Sequence, residues 1–400
     1  MSLSLSMGMR LGLSLGGGSG TAPYTGLVAS GFMGALGFVK SGTTGSFTSL
    51  MSRASFVAAS NITNLKAAYA NFKDIYGTVA VSAGLVLTAS VEYPAGTFTR
   101  LTFGGLNTGN VASGTIGETD LVSISIPKGA MFWIRTYQAN GGTVLYSTGG
   151  RSANGDAFAT NGPDLTMTSG TMTTSATTFS PIAVLGTTTG TSVGLIGDSI
   201  QAGKNGTAYY AGIMSGALGD AIPHVNFGVS GSTAGLGGAY YLTQLFSPLK
   251  TFLDTYCPVI VTNHGTNDLG TVTATSTALS ALSALLGQFT LAKKKLISTL
   301  IPRTASTDGW ITDANQTVYY TGDAQPGYTT FNAAVRAGSV SGANDYFDVY
   351  PVLVSGTRDE VWINSPSANY YTSDGTHPNQ PGYDLVKNSG AIVLSKLALP

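Results

Sequence analysis

The sequence holds one serine, one histidine and one carboxylate whose placement suits acyl transfer. Val193-Gly194-Leu195-Ile196 is an apolar run that stops at Gly197-Asp198-Ser199-Ile200, so a buried strand is expected to deliver Ser199 to a turn. Ala202 and Gly203 follow, which lets the backbone lie close to a ligand. A serine hydroxyl is a poor nucleophile at neutral pH and needs a base to take its proton. The chain contains three histidines, His224, His264 and His377. Asp374 precedes His377 by three residues, so its carboxylate can hold the imidazole through Nδ1–H and stabilise the imidazolium. Read singly, Ser199 is also a candidate helix N-cap, and Asp374 to His377 a candidate turn. Gln201 stands where a Gly-x-Ser-x-Gly elbow has its second glycine, which argues against the α/β-hydrolase fold.

Two more stretches bear on this chemistry: Asn226-Phe227-Gly228-Val229-Ser230-Gly231 and Gly265-Thr266-Asn267-Asp268. Together with Gly197-Asp198-Ser199-Ile200 and Asp374-Gly375-Thr376-His377-Pro378, and in this order, they resemble the sequence blocks of the SGNH hydrolases, the GDSL esterase/lipase family. The resemblance covers about residues 190–400, with Ile200 where the family name has leucine. It implies a flavodoxin-like three-layer α/β/α domain with a central parallel sheet. It also implies a serine esterase working through an acyl-enzyme, with Ser199, Asp374 and His377 as the catalytic residues. The oxyanion donors it implies are the backbone N–H of Ser199, the backbone N–H of Gly231 and the Asn267 amide. Glycine permits close backbone approach, and a neutral amide donates without competing for the histidine's proton. Asp198 and Asp268 are expected to buttress these loops. His264 is expected either to line the pocket or to sit buried behind it, and His224 to be structural. No set of histidines and carboxylates has metal-ligand spacing, so neither a metal nor another cofactor is expected.

The elements that must position these residues follow from a change of grammar near residues 185–190. Beyond it, strands are expected at 192–196, 224–228, 258–263, 296–301 and 346–353. Helices are expected at Ala278–Leu291, Phe331–Arg336 and Tyr383–Leu399. Alternation of this kind predicts a parallel sheet covered on both faces, with the site at the C-terminal ends of its strands. Before the change the signals are β: Leu85–Tyr93, Thr97–Phe103, Leu121–Ile126 and Met131–Tyr137 are separated by Pro/Gly turns. Helical and strand spacing compete over Leu65–Tyr76, and the β-rich neighbours favour strands. The expected organisation is a flexible N-terminal arm (1–50), a β-sandwich or jelly-roll-like accessory domain (51–187) and the catalytic domain (188–400). Residues from about 138 to 190 read as a long Thr/Ser/Gly-rich connection.

Composition narrows the partners. Of 400 residues 43% are hydrophobic, enough for sizeable cores, while 10% are charged, against about 25% for an ordinary domain. Lys plus Arg number 19 and Asp plus Glu 19, with Lys293-Lys294-Lys295 the one run of like charge, so nucleic acid and anionic membranes are not expected partners. Cys257, alone, can form no intrachain disulfide. No stretch reaches the length of a membrane-spanning helix. Met1 to Gly20 lacks the charged start and compact apolar block of a signal peptide. The expected substrate is an ester, first an O-acetylated carbohydrate and second a general short-chain ester. An appended β-rich domain with the aromatics Tyr93, Phe98, Phe103 and Trp133 suits a polysaccharide-directed enzyme, although the same rings suit a sandwich core. A second class is a surface- or virion-associated binding or structural protein. An extracellular or virion-associated location fits both, and the N-terminal half is a candidate surface for homo-oligomerisation.

Overall fold

The computed structural model describes residues 22–31, 39–42, 47–75, 78–80, 84–139, 144–147, 151–176, 178–207, 211–235, 246–270, 274–318 and 327–400. The site lies on the second half, where five parallel strands form one sheet: β1 (Val193–Gly197), β2 (His224–Gly228), β3 (Val259–Thr262), β4 (Lys294–Ser298) and β5 (Asp345–Phe347). Their order is β2-β1-β3-β4-β5, the doubly wound arrangement in which the crevice for a ligand opens where the strand order reverses, beside β1. Every residue of β1, β2 and β3 is buried, as expected of strands covered on both faces.

Alternation along the strands sorts their side chains to two cores. Val193, Leu195, Val259, Val261 and Leu296 meet Met214 and Leu218 around α1 (Ser215–Leu218), Leu353 of α6 (Tyr350–Leu353), and Tyr383 and Val386 of α7 (Gln380–Ser389). Ile196, Ile260 and Ile297 face the other way. They join a cluster holding Phe252 and Leu253 of α2 (Phe246–Tyr256), Leu282 and Leu285 of α4 (Thr275–Gly287) and Phe331 of α5 (Gly327–Arg336). α3 (Thr266–Leu269) is one turn long and follows β3 directly.

The first half is antiparallel β. One sheet orders Tyr24–Leu27, Ala183–Thr188, Ile62–Ala70 and Ile116–Glu118, with Val122–Ile126 also on Ile62–Ala70. The other orders Thr108–Val111, Leu85–Glu92, Met131–Gln138, Leu50–Ala58 and Ala157–Thr160. Inward residues such as Phe56, Leu65, Tyr69, Leu87, Val91, Phe132 and Leu185 fill the space between them. The Tyr69 hydroxyl meets Thr136 Oγ1 at 2.8 Å, so this buried phenol is satisfied. The same apolar cluster continues into the α2 side of the parallel sheet. Polar ties reinforce the junction. Ser192 Oγ accepts from the Leu27 N–H (2.9 Å), Ser30 Oγ donates to Ile222 O (3.1 Å), and the Tyr256 hydroxyl donates to Glu118, which is also paired with Lys66.

Several expectations need revision. Tyr24–Leu27 and Ala29–Gly31 are strands paired with Ala183–Thr188 and Leu50–Ala58, so they are part of the fold and not of a flexible arm; residues 1–21 lie outside the described residues. The stretch 138–190 is not a bare connection, since Ala157–Thr160 and Ala183–Thr188 are sheet strands. The strand expected over 346–353 ends at Phe347. Tyr350–Leu353 is helical, with Pro351 in its first turn, where the missing N–H costs nothing. The closing helix stops at Ser389, because Gly390 takes the left-handed conformation (φ 78°) that ends a helix. Over Leu65–Ala70 the strand reading holds.

Candidate active site

β1 ends at Gly197, and the turn beyond it is shaped by Asp198. One carboxylate oxygen, Oδ1, accepts from the Ile200 N–H (2.8 Å) and from Asn263 Nδ2 (2.9 Å), so the chain must bend and Ser199 is presented at the sheet edge. Ser199 is 7% exposed and His377 8%, sheltered yet reachable. The Ser199 hydroxyl lies 2.6 Å from His377 Nε2, and His377 Nδ1 lies 2.8 Å from Asp374 Oδ2. With Nδ1–H donating to the carboxylate, Nε2 carries the lone pair and accepts the Ser199 proton. Serine, imidazole and carboxylate therefore form one continuous relay, and such a relay can raise the nucleophilicity of a serine oxygen.

The loop bearing Asp374 and His377 is fixed from several sides. Asp374 Oδ1 accepts from the backbone N–H of His377 (2.8 Å) and of Thr376 (2.9 Å). Burial alone would raise the Asp374 pKa, but the bonds from the His377 ring and from these two N–H groups outweigh it and hold the carboxyl well below its usual range. Thr372 Oγ1 donates to His377 O (2.8 Å), and the fully buried Trp362 donates from Nε1 to Gly375 O (2.9 Å). Gly375 has φ +70°, and a Cβ there would sit 1.7 Å from Thr304 O, so this turn admits no side chain.

The turn after β2 is tied to the same edge. Val229 N–H donates to Gly197 O (2.8 Å), as does the Ser232 hydroxyl (2.9 Å), while the Asn267 amide donates to Ser232 O (2.9 Å). Gly231 lies inside this turn. Asp268, fully buried, accepts from the Ala234 N–H at 2.9 and 3.0 Å, locking the far end of the same loop to α3. Burial, only partly offset by that N–H and reinforced by the Asp198 charge, pushes the Asp268 pKa up to about 6. Asp198 is likewise raised by burial, against the bonds from Asn263 and Ile200.

His264 sits behind the turn at 1% exposure. Thr262 Oγ1 lies 2.8 Å from its Nδ1 and Ser232 Oγ 3.0 Å from its Nε2. Since the Ser232 hydroxyl donates to Gly197 O, His264 Nε2–H donates to Ser232, and burial lowers its pKa to about 3. His264 is thus a neutral strut and not a pocket-lining base. His224, on β2, is buried away from the relay with its Nδ1 2.9 Å from Ile222 O, and burial lowers its pKa to about 4.

Three contributors carry no local sequence signal: Asn263, which braces Asp198; Trp362, which holds Gly375; and Asn205, whose amide reaches Asp374 Oδ2 at 3.1 Å. The aromatics of the first half are engaged in packing. The Arg53 guanidinium lies 3.8 Å over Trp133 and that of Arg135 4.5 Å over Phe98, while Phe103 leans on Tyr69. Both arginines pair with the buried Glu92, at 2.7 Å each. Among the described residues no three His, Cys, Asp or Glu side chains gather as a metal site, and no helix is long and apolar enough to cross a membrane.

Known proteins similar to the chain match it over about half its length. Among curated proteins, none matches. Solved structures similar to it include a carbohydrate acetylesterase from Sinorhizobium meliloti (18% identity, 52% of this chain and 100% of that one, TM-score 0.35). Others are an aryl esterase of M. smegmatis (17%, 52% and 100%, TM-score 0.36) and a lipolytic protein of the G-D-S-L family from Veillonella parvula (15%, 51% and 98%, TM-score 0.35). Residues 195–385 match the sequence model of the GDSL-like lipase/acylhydrolase family, a span that runs from β1 into α7 and takes in Ser199, Gly231, Asn267, Asp374 and His377. Over those residues the chain carries a domain of the GDSL-like lipase/acylhydrolase family.

Proposed function

We propose that the chain is a serine carboxylic-ester hydrolase that removes O-acetyl groups from a carbohydrate. The observation that carries the reading is the unbroken relay from Ser199 Oγ to His377 Nε2 (2.6 Å) and from His377 Nδ1 to Asp374 Oδ2 (2.8 Å). His377 takes the hydroxyl proton as Ser199 Oγ bonds to the ester carbon, and the carbonyl oxygen becomes an oxyanion. The N–H groups of Ser199 and Gly231 and the Asn267 amide stabilise that charge. Collapse breaks the carbon–oxygen bond to the alcohol, which leaves with the proton from His377. Water, deprotonated by the same imidazole, then attacks the acyl-Ser199, and acetate is released as Ser199 regains its proton. Asp374 stays ionised throughout and steadies the imidazolium.

The carbohydrate preference rests on the polar rim. Lys204, Asn205, Ser373 and Asp374 are exposed around the relay, and the Asp374 side chain is 39% accessible. Such a rim favours a hydrated, hydroxyl-rich alcohol over a lipid chain. The domain organisation follows: an esterase domain from about 188 onward, packed on a β-sandwich that precedes it.

The test is kinetic. Ser199→Ala is expected to lower kcat for an aryl acetate by about 10³-fold or more. The wild-type protein should release acetate from O-acetylated polysaccharides and lose activity on aryl esters as the acyl chain lengthens. Unchanged hydrolysis by Ser199→Ala would overturn the mechanism, and a preference for long acyl chains would overturn the substrate.

A further inference from the structure

We propose that Asn205 is a positioning residue of this site, its side-chain amide orienting the Asp374 carboxylate toward His377. The inference rests on the functional reading above and adds a residue to it. Three of the donors to Asp374 come from its own loop: the N–H groups of Thr376 and His377 on Oδ1 and His377 Nδ1–H on Oδ2. With a side chain 39% accessible, this carboxylate competes with solvent for its orientation. Asn205 supplies a donor from a different part of the fold, Nδ2 to Oδ2 at 3.1 Å across a separation of 169 residues.

The place from which Asn205 reaches matters. It lies in the turn that follows the nucleophile, where Lys204 N–H donates to Ser199 O (3.0 Å) and the Tyr383 hydroxyl donates to Lys204 O (3.0 Å). The amide therefore couples the serine's turn directly to the loop of its acid and base. Asn205 also holds φ +66°, a conformation that is strained for most residues and that glycine adopts freely. Asparagine tolerates that conformation better than most residues, and it provides what glycine cannot, a donor aimed at Asp374. A backbone held in this region beside a reacting group is a recurrent mark of a site whose geometry is over-determined.

Asn205→Gly separates the amide from the fold, because it removes the donor while relaxing the backbone. The expected result is a kcat for an aryl acetate lower by roughly five- to tenfold, the size carried by one ordinary hydrogen bond in a solvent-accessible place, with KM within about twofold and no fall in Tm. Asn205→Asp keeps the shape but sets a second carboxylate against Asp374. It is expected to shift the acidic limb of the kcat/KM profile to higher pH, since the imidazolium gains a negative neighbour; Asp198 and Tyr383, which also face this pair, are unaltered. A readout independent of turnover is the downfield proton resonance of His377 Nδ1–H, expected to be sharp in the wild type and broadened in Asn205→Gly. Failure of the functional reading would show as wild-type turnover equal to Ser199→Ala, with the resonance still deciding the role of Asn205. An Asn205→Gly protein with wild-type kcat and an unchanged resonance would overturn the proposal.

Discussion

Gly228 gives the sharpest link between packing and catalysis. It closes β2 and lies against the backbone of the turn that presents Ser199: a Cβ at this position would sit 2.5 Å from Ala202 N, 2.8 Å from Gln201 C and 3.0 Å from Ala202 Cα. These neighbours are backbone atoms, so no side chain can swing aside. To reach ordinary contact at 3.4 Å the turn must retreat by about 0.9 Å. Ser199 lies three residues before Ala202, and Ala202 N–H donates to Asp198 O (2.9 Å), so the shift is passed to the nucleophile. A misplacement of this size is worth about 10²-fold in rate. Gly228→Ala is therefore expected to lower kcat for an aryl acetate about 100-fold and to cost about 1–3 kcal/mol of stability. Gly338→Ala is the comparison. Its φ of +70° costs alanine about 1–2 kcal/mol, a stability loss of similar size with a different origin, but nothing lies within 4 Å of a Cβ there. It should lose stability and keep its kcat. Measured by steady-state kinetics and thermal unfolding, a Gly228→Ala protein within twofold of the wild-type kcat would refute the reasoning.

Two other outcomes follow from the same geometry. Asn267→Ala should lower kcat by about 10²- to 10³-fold with little change in KM, because the charge it stabilises exists only in the transition state; a loss confined to KM would contradict that role. Acid should weaken the fold through its buried histidines. His224 has a folded pKa of about 4 against an ordinary 6.5, so its neutral form is favoured on folding; its contribution is full above pH 6.5 and is lost as pH falls toward 4. Asp268, raised to about 6, works in the opposite sense, contributing below its ordinary 3.8 and losing that contribution as pH rises through 6. Denaturant unfolding at pH 7 and 4.5 should therefore show His224→Asn losing about 2–3 kcal/mol less than the wild type over that interval, and equal losses would count against it.

What could be read from the chain was set by how local each constraint is. Ser199, Asp374 and His377, which the fold brings into one relay, stand in short motifs, as do Gly231 and Asn267, so local sequence singles them out. β1 and β3 could be read because strands covered on both faces are continuous apolar runs, Val193-Gly194-Leu195-Ile196 and Val259-Ile260-Val261. Ala157–Thr160 and Ala183–Thr188 escaped notice because they are built of Ala, Phe, Gly, Val, Leu and Thr without strict alternation. Their partners, Leu50–Ala58 and Ile62–Ala70, lie about a hundred residues away. Pro351 starts a helix and Gly390 ends one, yet the strand expected over 346–353 and the helix expected through Leu399 run past both, because the surrounding apolar pattern, taken without them, continues. Asn205, Asn263 and Trp362 could not be singled out, because each acts through a residue distant in sequence.

Covalent capture asks whether Ser199 is a nucleophile activated by His377. The protein is treated with a fluorophosphonate, digested, and its peptides are read by mass spectrometry. One phosphonylated residue, Ser199, is expected, with labelling that collapses in His377→Ala although that protein remains folded. Absence of label on Ser199, or label that persists undiminished without His377, would contradict that activation.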